Sequence, residues 1–213
     1  SFVLSDKKAS ISFIVGGSPV KSKEILLNRI SFFSTSEGFI PCFSKLVEIK
    51  KSMHNASNNA DVRVIVLTGT GRGFCAGADM NELNNIDADK RAETNKTSPY
   101  DGFNTEWPLD FQRAQTWFPS VPKPIIAAIN GPAAGLGLIL SMWCDMRFAS
   151  KSAVFSTAFS KRGLIAEHGM SWLLPRLVGI GHAMDMTLTA RKISADEAEK
   201  IGFVNKTFSD EVF

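Results

Sequence analysis

The stretch KPIIAAINGPAAGLGLILSMWCDMRFA, Lys123–Ala149, decides how this 213-residue chain folds. Ile125–Ile129 is an apolar run that follows Pro124 and reads as a buried strand. It breaks at Asn130-Gly131-Pro132 into the small-residue turn Ala133-Ala134-Gly135-Leu136-Gly137. A second apolar run opens from that turn and reads as a helix beginning near Gly137. A strand that feeds a turn and then a helix aims several backbone N–H groups at one point, and the helix dipole adds partial positive charge there. Such a point suits a developing anion.

A second stretch has the same character: VRVIVLTGTGRGFCAGAD, Val62–Asp79. Val62–Leu67 is β-branched and apolar and reads as an interior strand. Gly69, Gly71, Gly73 and Gly77 then let the backbone turn tightly and approach another chain segment closely. The two turns are expected to face one another, with the function set by what lies between them.

The whole chain is 44% hydrophobic and 21% charged, which fits one α/β domain with or without a terminal appendage. A net charge of +3 without a basic block argues against nucleic acid or an anionic membrane as partner, while leaving room for a phosphate-bearing small ligand. No apolar run approaches the ~20 residues of a membrane span, and the N-terminal SFVLSDKKAS has no signal-peptide core. The three cysteines, Cys42, Cys75 and Cys144, form no CxxC pair. An odd count without a secretory signal reads as reduced thiols in an intracellular, cytoplasmic setting.

Other chemistries find no support. Gly69-Thr70-Gly71 is followed by Gly73, too soon for a dinucleotide-binding turn, and there is neither a GK[ST] phosphate loop nor a GxSxG elbow. His54, His168 and His182 lack the spacing and cysteine partners of a zinc site, so no metal is expected.

The rest of the chain arranges itself around the two turns. Ile11–Val15 and Ile25–Asn28 read as adjacent short strands, and Phe43, Leu46, Val47, Ile49, Lys50 and Met53 give a helix over roughly Pro41–Asn55. Strand, helix, strand order implies a largely parallel sheet with crossover helices. Met80–Leu83 reads as a helix start after Asp79, and the polar, aperiodic Asn84–Tyr100 as a mobile loop. Trp107, Phe111, Ala114, Trp117 and Phe118 form a helical aromatic face, either core or the lining of an apolar pocket. Met146–Ala149 and Ala153–Phe155 read as strands and Phe159–Met170 as a loop. Ser171–Val178, His182–Thr189 and Ala195–Lys200 follow as helices, punctuated by Gly179, Gly181 and Ser194.

The motifs, taken together, resemble one family. Gly73-Phe74-Cys75-Ala76-Gly77-Ala78-Asp79, Lys123-Pro124-Ile125 through Asn130-Gly131-Pro132-Ala133, Cys144-Asp145, Gly163-Leu164-Ile165 and Leu174-Pro175-Arg176-Leu177-Val178-Gly179 are similar to the enoyl-CoA hydratase/isomerase (crotonase) superfamily. The resemblance runs from about Asp61 to about Thr207 and implies an α/β fold, a crotonase-like spiral of ββα units. It places the spiral core at residues 1–195 and the start of a C-terminal helical region at 196–213. The helices that close the site and carry trimer contacts would follow Phe213, leaving that trimerisation region largely absent from this chain. The family continues the strand that matches Ile25–Arg29 with a proline and an Asn-Ala pair, whereas here Leu27-Asn28-Arg29 is followed by Ile30-Ser31-Phe32-Phe33.

The resemblance also implies a coenzyme A thioester substrate and a homotrimer or dimer of trimers. No separate cofactor is implied, because the coenzyme A belongs to the substrate. The two oxyanion-hole donors would be the backbone N–H groups of Ala78 and Leu136, and the Ala76 carbonyl would approach the adenine amino group. Gly77, Asp79, Gly135 and Phe159 complete the expected substrate and CoA contacts, with Asp79 either contacting ligand or capping the helix after it. Hydratases of the family place one glutamate three residues after the second donor and another four residues before the glycine matching Gly163. This chain has Ile139 and Phe159 there.

Glu167 instead lies four residues after Gly163, where the Δ3,Δ2-enoyl-CoA isomerases of the family carry their single catalytic glutamate. One carboxylate suffices to move a proton from C2 to C4 of a 3-enoyl thioester, provided the hole holds the dienolate in between. It needs a partly apolar setting, for which Phe155, Phe159 and Trp172 are candidates. The pattern favours an isomerase. A hydratase or lyase using Glu167, with or without His168, and a non-catalytic acyl-CoA-binding protein that has lost its hydratase acids are the alternatives.

Overall fold

The computed structural model of the chain describes residues 30–32, 42–69, 71–77 and 116–212. Its main sheet has five strands, all parallel: β1 Ile30–Phe32, β2 Ile65–Gly69, β3 Ile125–Ile129, β5 Met146–Ser150 and β8 Lys206–Phe208, in the order β1-β2-β3-β5-β8. β2 (IVLTG) and β3 (IIAAI) are buried almost throughout, without in-out alternation, as strands covered on both faces are. Register follows the two organising stretches, with Ile65 opposite Ile125 and Leu67 opposite Ala127. The expected parallel sheet with crossover helices is therefore present.

Helix α1, Cys42–Asn58, buries Leu46, Ile49, Met53 and Ala56, a spacing that keeps one face on the core. Its last turn is closed from outside. Lys123 Nζ donates to the carbonyls of Ala56 (2.6 Å) and Asn59 (2.5 Å), so the lysine that precedes β3 also ties α1 to the sheet.

The second sheet is small: β4 Ala133–Ala134 lies parallel to β6 Val154–Ser156, and β6 is antiparallel to β7 Ile193–Ser194. Cys75 joins its edge through a parallel bridge to Ala133. β4 leads into α2, Leu136–Met142, buried at every residue. The guanidinium of Arg147 closes its C-terminal end, donating to the carbonyls of Cys144 (2.6 Å) and Met142 (3.4 Å) while Nε reaches Phe203 (2.8 Å). A cation suits that end of a helix dipole. Burial lowers the pKa of this arginine, against the opposing pull of its acidic neighbours, and burial likewise pushes the Cys144 thiol far up.

α3 spans Met170–Thr189, but Gly179 at φ 78°, ψ 161° is not helical and divides it where two helices were expected. Ser194 caps α4, Ala195–Lys200, by accepting from Glu197 N–H at 3.2 Å, and Asp196 and Glu197 fill its first turn. The segment after residue 195 then returns to the main sheet as its edge strand β8, held by Glu199, which accepts from Thr207 N–H (2.8 Å) and its hydroxyl (2.5 Å).

Some expected boundaries shift. α1 continues three residues beyond Asn55, β2 begins at Ile65 rather than Val62, and Phe159–Met170 contains the 3-10 turn Ser160–Arg162. Ile30–Phe32, noted only as a departure from the family pattern, forms a strand because it lies alongside Leu67–Gly69. Trp117 and Phe118 are buried with ring centroids 4.5 Å apart, which makes them core, and the backbone there is a 3-10 turn, Phe118–Ser120. The expectations for Ile11–Val15, Ile25–Asn28, Met80–Leu83, Asn84–Tyr100 and the aromatic positions Trp107, Phe111 and Ala114 lie outside the described residues. Among the described residues no helix is long and apolar enough to cross a membrane.

Candidate active site

The two glycine-rich turns meet backbone to backbone. Pro132 carbonyl accepts from the N–H groups of Phe74 and Cys75 (both 3.1 Å), and Ala134 N–H donates to Cys75 carbonyl (3.0 Å). Two glycines make this approach possible. A Cβ at Gly131 would stand 2.2 Å from Arg72 carbonyl oxygen, and one at Gly137 would stand 2.0 Å from that of Cys75.

Asn130 locks the arrangement. Its Oδ1 accepts from Gly69 N–H (3.0 Å), and its Nδ2 donates to Gly71 carbonyl (2.9 Å) and, at 3.4 Å, to that of Gly73.

Within the second turn, Gly135 takes φ 51° and spends its N–H on Ser156 carbonyl (3.1 Å), while its own carbonyl accepts from Ile139 (3.1 Å). No acceptor among the described residues takes Leu136 N–H, which opens α2. On the first turn, Ala76 is exposed and Gly77, at φ 110°, passes close enough that a Cβ would lie 3.2 Å from Ala134 carbonyl oxygen. Ala76, Gly77, Gly135 and Leu136 are thus brought together at one end of α2. Ala78 and Asp79 lie outside the described residues.

The two positions that hold glutamates in the hydratase pattern are core positions here. Ile139 is 0% exposed within α2, and Phe159 is buried against the same apolar cluster while its carbonyl accepts from Arg162 (2.9 Å) and Leu164 (3.0 Å). Glu167 differs from both. Its side chain is 37% exposed, on the segment between Gly163, a left-handed residue at φ 67°, and the start of α3. Its carbonyl accepts from Met170 N–H (3.0 Å), and its carboxylate lies 3.6 Å from His168 Nε2.

Of the three aromatic residues expected around Glu167, Phe155 and Phe159 are buried in the core, and Trp172 is 47% exposed. Trp172 stacks on Trp143 at 6.2 Å, and the Arg176 guanidinium lies 4.1 Å from its ring centre. A cavity of about 370 Å³ opens at the C-terminal end of α2, lined in part by Pro119, Trp143, Asp145, Arg147, Trp172 and Leu177. It is at the opposite end of the helix from the turns. No group of three or more potential metal ligands occurs among the described residues.

Two contributors escape a reading of the sequence. Asn130 carries a local signal, since an Asn at a strand end before Gly-Pro commonly binds nearby backbone. Trp143 carries none, because its indole N–H donates to His168 carbonyl (3.0 Å), a residue 25 positions along.

The sequence profile of the enoyl-CoA hydratase/isomerase family matches residues 42–213. The chain is 36% identical over 211 residues to a probable enoyl-CoA hydratase, EchA12, of Mycobacterium bovis, covering 98% of this chain and 70% of that protein. It is 37% identical over 167 residues to the 1,2-epoxyphenylacetyl-CoA isomerase of Escherichia coli K12, covering 77% of this chain and 59% of the relative. The crystal structure of enoyl-CoA hydratase from Bacillus anthracis superposes with a TM-score of 0.67 at 31% identity, over 79% of this chain and 61% of that one. The chain therefore spans 70% of the mycobacterial relative's length but only 59% and 61% of the other two.

Proposed function

From the premise that this chain belongs to the enoyl-CoA hydratase/isomerase family, with its crotonase fold, we propose that it isomerises a 3-enoyl-CoA to the 2-enoyl-CoA through a thioester enolate, with Glu167 as the single proton shuttle. In this reading the thioester oxygen sits between the backbone N–H groups of Leu136 and Ala78. Ala76, Gly77, Asp79, Gly135 and Phe159 bound the substrate and its coenzyme A. The Glu167 carboxylate removes a proton from C2, and the C–H electron pair delocalises onto the thioester oxygen and across the C3–C4 double bond. The same carboxyl group then returns the proton at C4, which leaves the double bond between C2 and C3 and the enzyme unchanged.

One observation carries the reading: Ile139 and Phe159 fill the two hydratase acid positions with core side chains, whereas the Glu167 carboxylate is partly exposed. The first is incompatible with a two-glutamate water addition. The second leaves one carboxylate accessible to substrate.

The test is to mix the purified chain with 3-hexenoyl-CoA and follow the conjugated 2-enoyl product. Glu167→Gln should lower kcat by ~10²–10⁴-fold, the usual worth of a positioned general base, with an unchanged far-UV spectrum. Equal turnover by the variant would overturn the assignment.

A second reading rests on the 3.6 Å approach of His168 to Glu167, which offers two proton-transfer groups and so permits water addition. Product analysis separates the two, because only hydration yields a 3-hydroxyacyl-CoA.

A further inference from the structure

The tryptophan at the far end of α2 has no part in the chemistry above, yet three contacts fix it. Trp143 is the C-cap of α2, its own N–H donating to the carbonyls of Ile139 and Ser141. Trp172 stacks on it at 6.2 Å and 15°, and Arg176 closes over Trp172 while donating to the Trp172 carbonyl (2.6 Å). Its ring also occupies the space a side chain at residue 169 would need, since a Cβ on Gly169 would lie 2.6 Å from Trp143 Cζ2.

From this fixed position the indole N–H donates to the His168 carbonyl at 3.0 Å. The segment it holds is unusual. His168 at φ 55° and Gly169 at φ 82° are successive left-handed residues, a conformation uncommon outside glycine. Glu167 comes immediately before them. α2 therefore carries Leu136 N–H at one end and, about 10 Å along its axis, the anchor of the carboxylate-bearing segment at the other.

We propose that Trp143 is a positioning residue that sets the Glu167 carboxylate relative to the oxyanion donor of the same helix. This rests on the reading of Glu167 as the proton shuttle. Without the indole bond the left-handed pair relaxes, Glu167 samples several orientations, and proton transfer slows while thioester binding at the turns persists.

The test uses the full chain and the variant Trp143→Phe, which keeps an aromatic ring and deletes the donor. Two readouts are taken: backbone amide exchange by NMR at Met170 and Leu173, whose N–H groups donate to the carbonyls of Glu167 and Gly169, and kcat and KM for 3-hexenoyl-CoA. Exchange should speed up at those amides, kcat should fall ~10–10²-fold as expected for a displacement of about 1 Å, and KM should stay within about twofold. If Trp143→Phe does not fold, exchange of the Trp143 indole N–H itself is measured in the wild-type chain, and exchange at the rate of a free indole overturns the tie. Unchanged exchange overturns the tie. Faster exchange with unchanged kcat overturns the positioning role, as does a rise in KM alone. A wild-type chain that leaves 3-hexenoyl-CoA untouched would instead sink the Glu167 reading and the catalytic half of this proposal with it, and amide exchange would still decide the tie.

Discussion

Gly137→Ala sets two physical effects against each other. Gly137 is the second residue of α2, and helix propensity alone favours alanine there by at most about 1 kcal/mol, the value for a helix interior. The tertiary contact opposes it. A methyl carbon at Gly137 would lie 2.0 Å from Cys75 carbonyl oxygen and 2.7 Å from Cys75 Cβ, where ordinary contact begins at 3.4 Å. Clearing the oxygen takes a shift of about 1.4 Å between α2 and the first turn.

Neither side yields readily. α2 is buried at all seven residues, and the Cys75 carbonyl is already engaged with Ala134 N–H at 3.0 Å. Overpacking of this kind costs about 1–3 kcal/mol and the strained hydrogen bond about 0.5–1.5 kcal/mol. After the propensity gain, a net destabilisation of about 2 kcal/mol remains, or a Tm lower by roughly 4–8 °C for a domain of this size. The same shift separates Ala76 and Gly77 from Leu136, and a displacement of about 1 Å in a catalytic constellation costs ~10²-fold in kcat.

Urea denaturation and steady-state turnover of 3-hexenoyl-CoA measure the two losses. Gly181→Ala on α3 is the control, because no atom lies within 4 Å of its added carbon and propensity acts there unopposed. A Gly137→Ala protein that matches or exceeds wild-type stability would show that the turns are not locked backbone to backbone, and the site built on their contact would fall with it.

Asn130→Ala leaves the buried Gly69 N–H without its acceptor and strips a donor from the carbonyls of Gly71 and Gly73. The expected loss is about 2–3 kcal/mol in urea denaturation, and a loss below about 0.5 kcal/mol would discard the latch. The Arg191 guanidinium binds both Asp185 and Glu197, and its hydrogen bonds hold both carboxyl groups below their usual range. Depressed carboxyl values stabilise the fold above about pH 4.5, where the unfolded acids are ionised, and that stabilisation is lost as pH falls through the lowered folded values. The Tm gap between wild type and Arg191→Ala should therefore narrow from pH 6 to pH 2; a constant gap would place the effect of Arg191 in packing alone.

The parts of the fold legible in the sequence are those written locally. Ile125–Ile129 reads as a buried strand because five successive apolar residues fit no half-exposed element, and the Gly69–Gly77 spacing reads as close approach because only glycine permits it. The break in α3 at Gly179 belongs to the same class. Pairing across the chain is not written locally. Ile30–Phe32 becomes a strand only through Leu67–Gly69, and Lys123 acts as a helix cap only once Ala56 lies beside it. The candidate site divides the same way. Leu136 and Gly135 follow from their turn, while Asn130 spans 61 positions to Gly69 and Trp143 spans 25 to His168.

The same division bears on what chemistry the chain supports. Anion stabilisation depends on backbone groups, so it survives any side-chain change that preserves the turns and the glycines between them. Proton transfer depends on side chains and is lost with a single substitution. Ile139 keeps α2 packed, at 0% exposure, with no proton-transfer group at that position, and the buried Phe159 likewise offers none after β6. On the proposed reading the backbone platform is kept without the two acids of the hydratase pattern. A carboxylate then has to come from elsewhere, and Glu167 arrives on a segment pinned to the far end of the same helix through Trp143. If Leu136 and Glu167 act as proposed, one helix of about 10 Å sets the distance between hole and base. A single base at a fixed distance suits the transfer of one proton between two carbons of a bound substrate; activating water while protonating carbon calls for a second group, and His168 at 3.6 Å is the side chain placed to provide it.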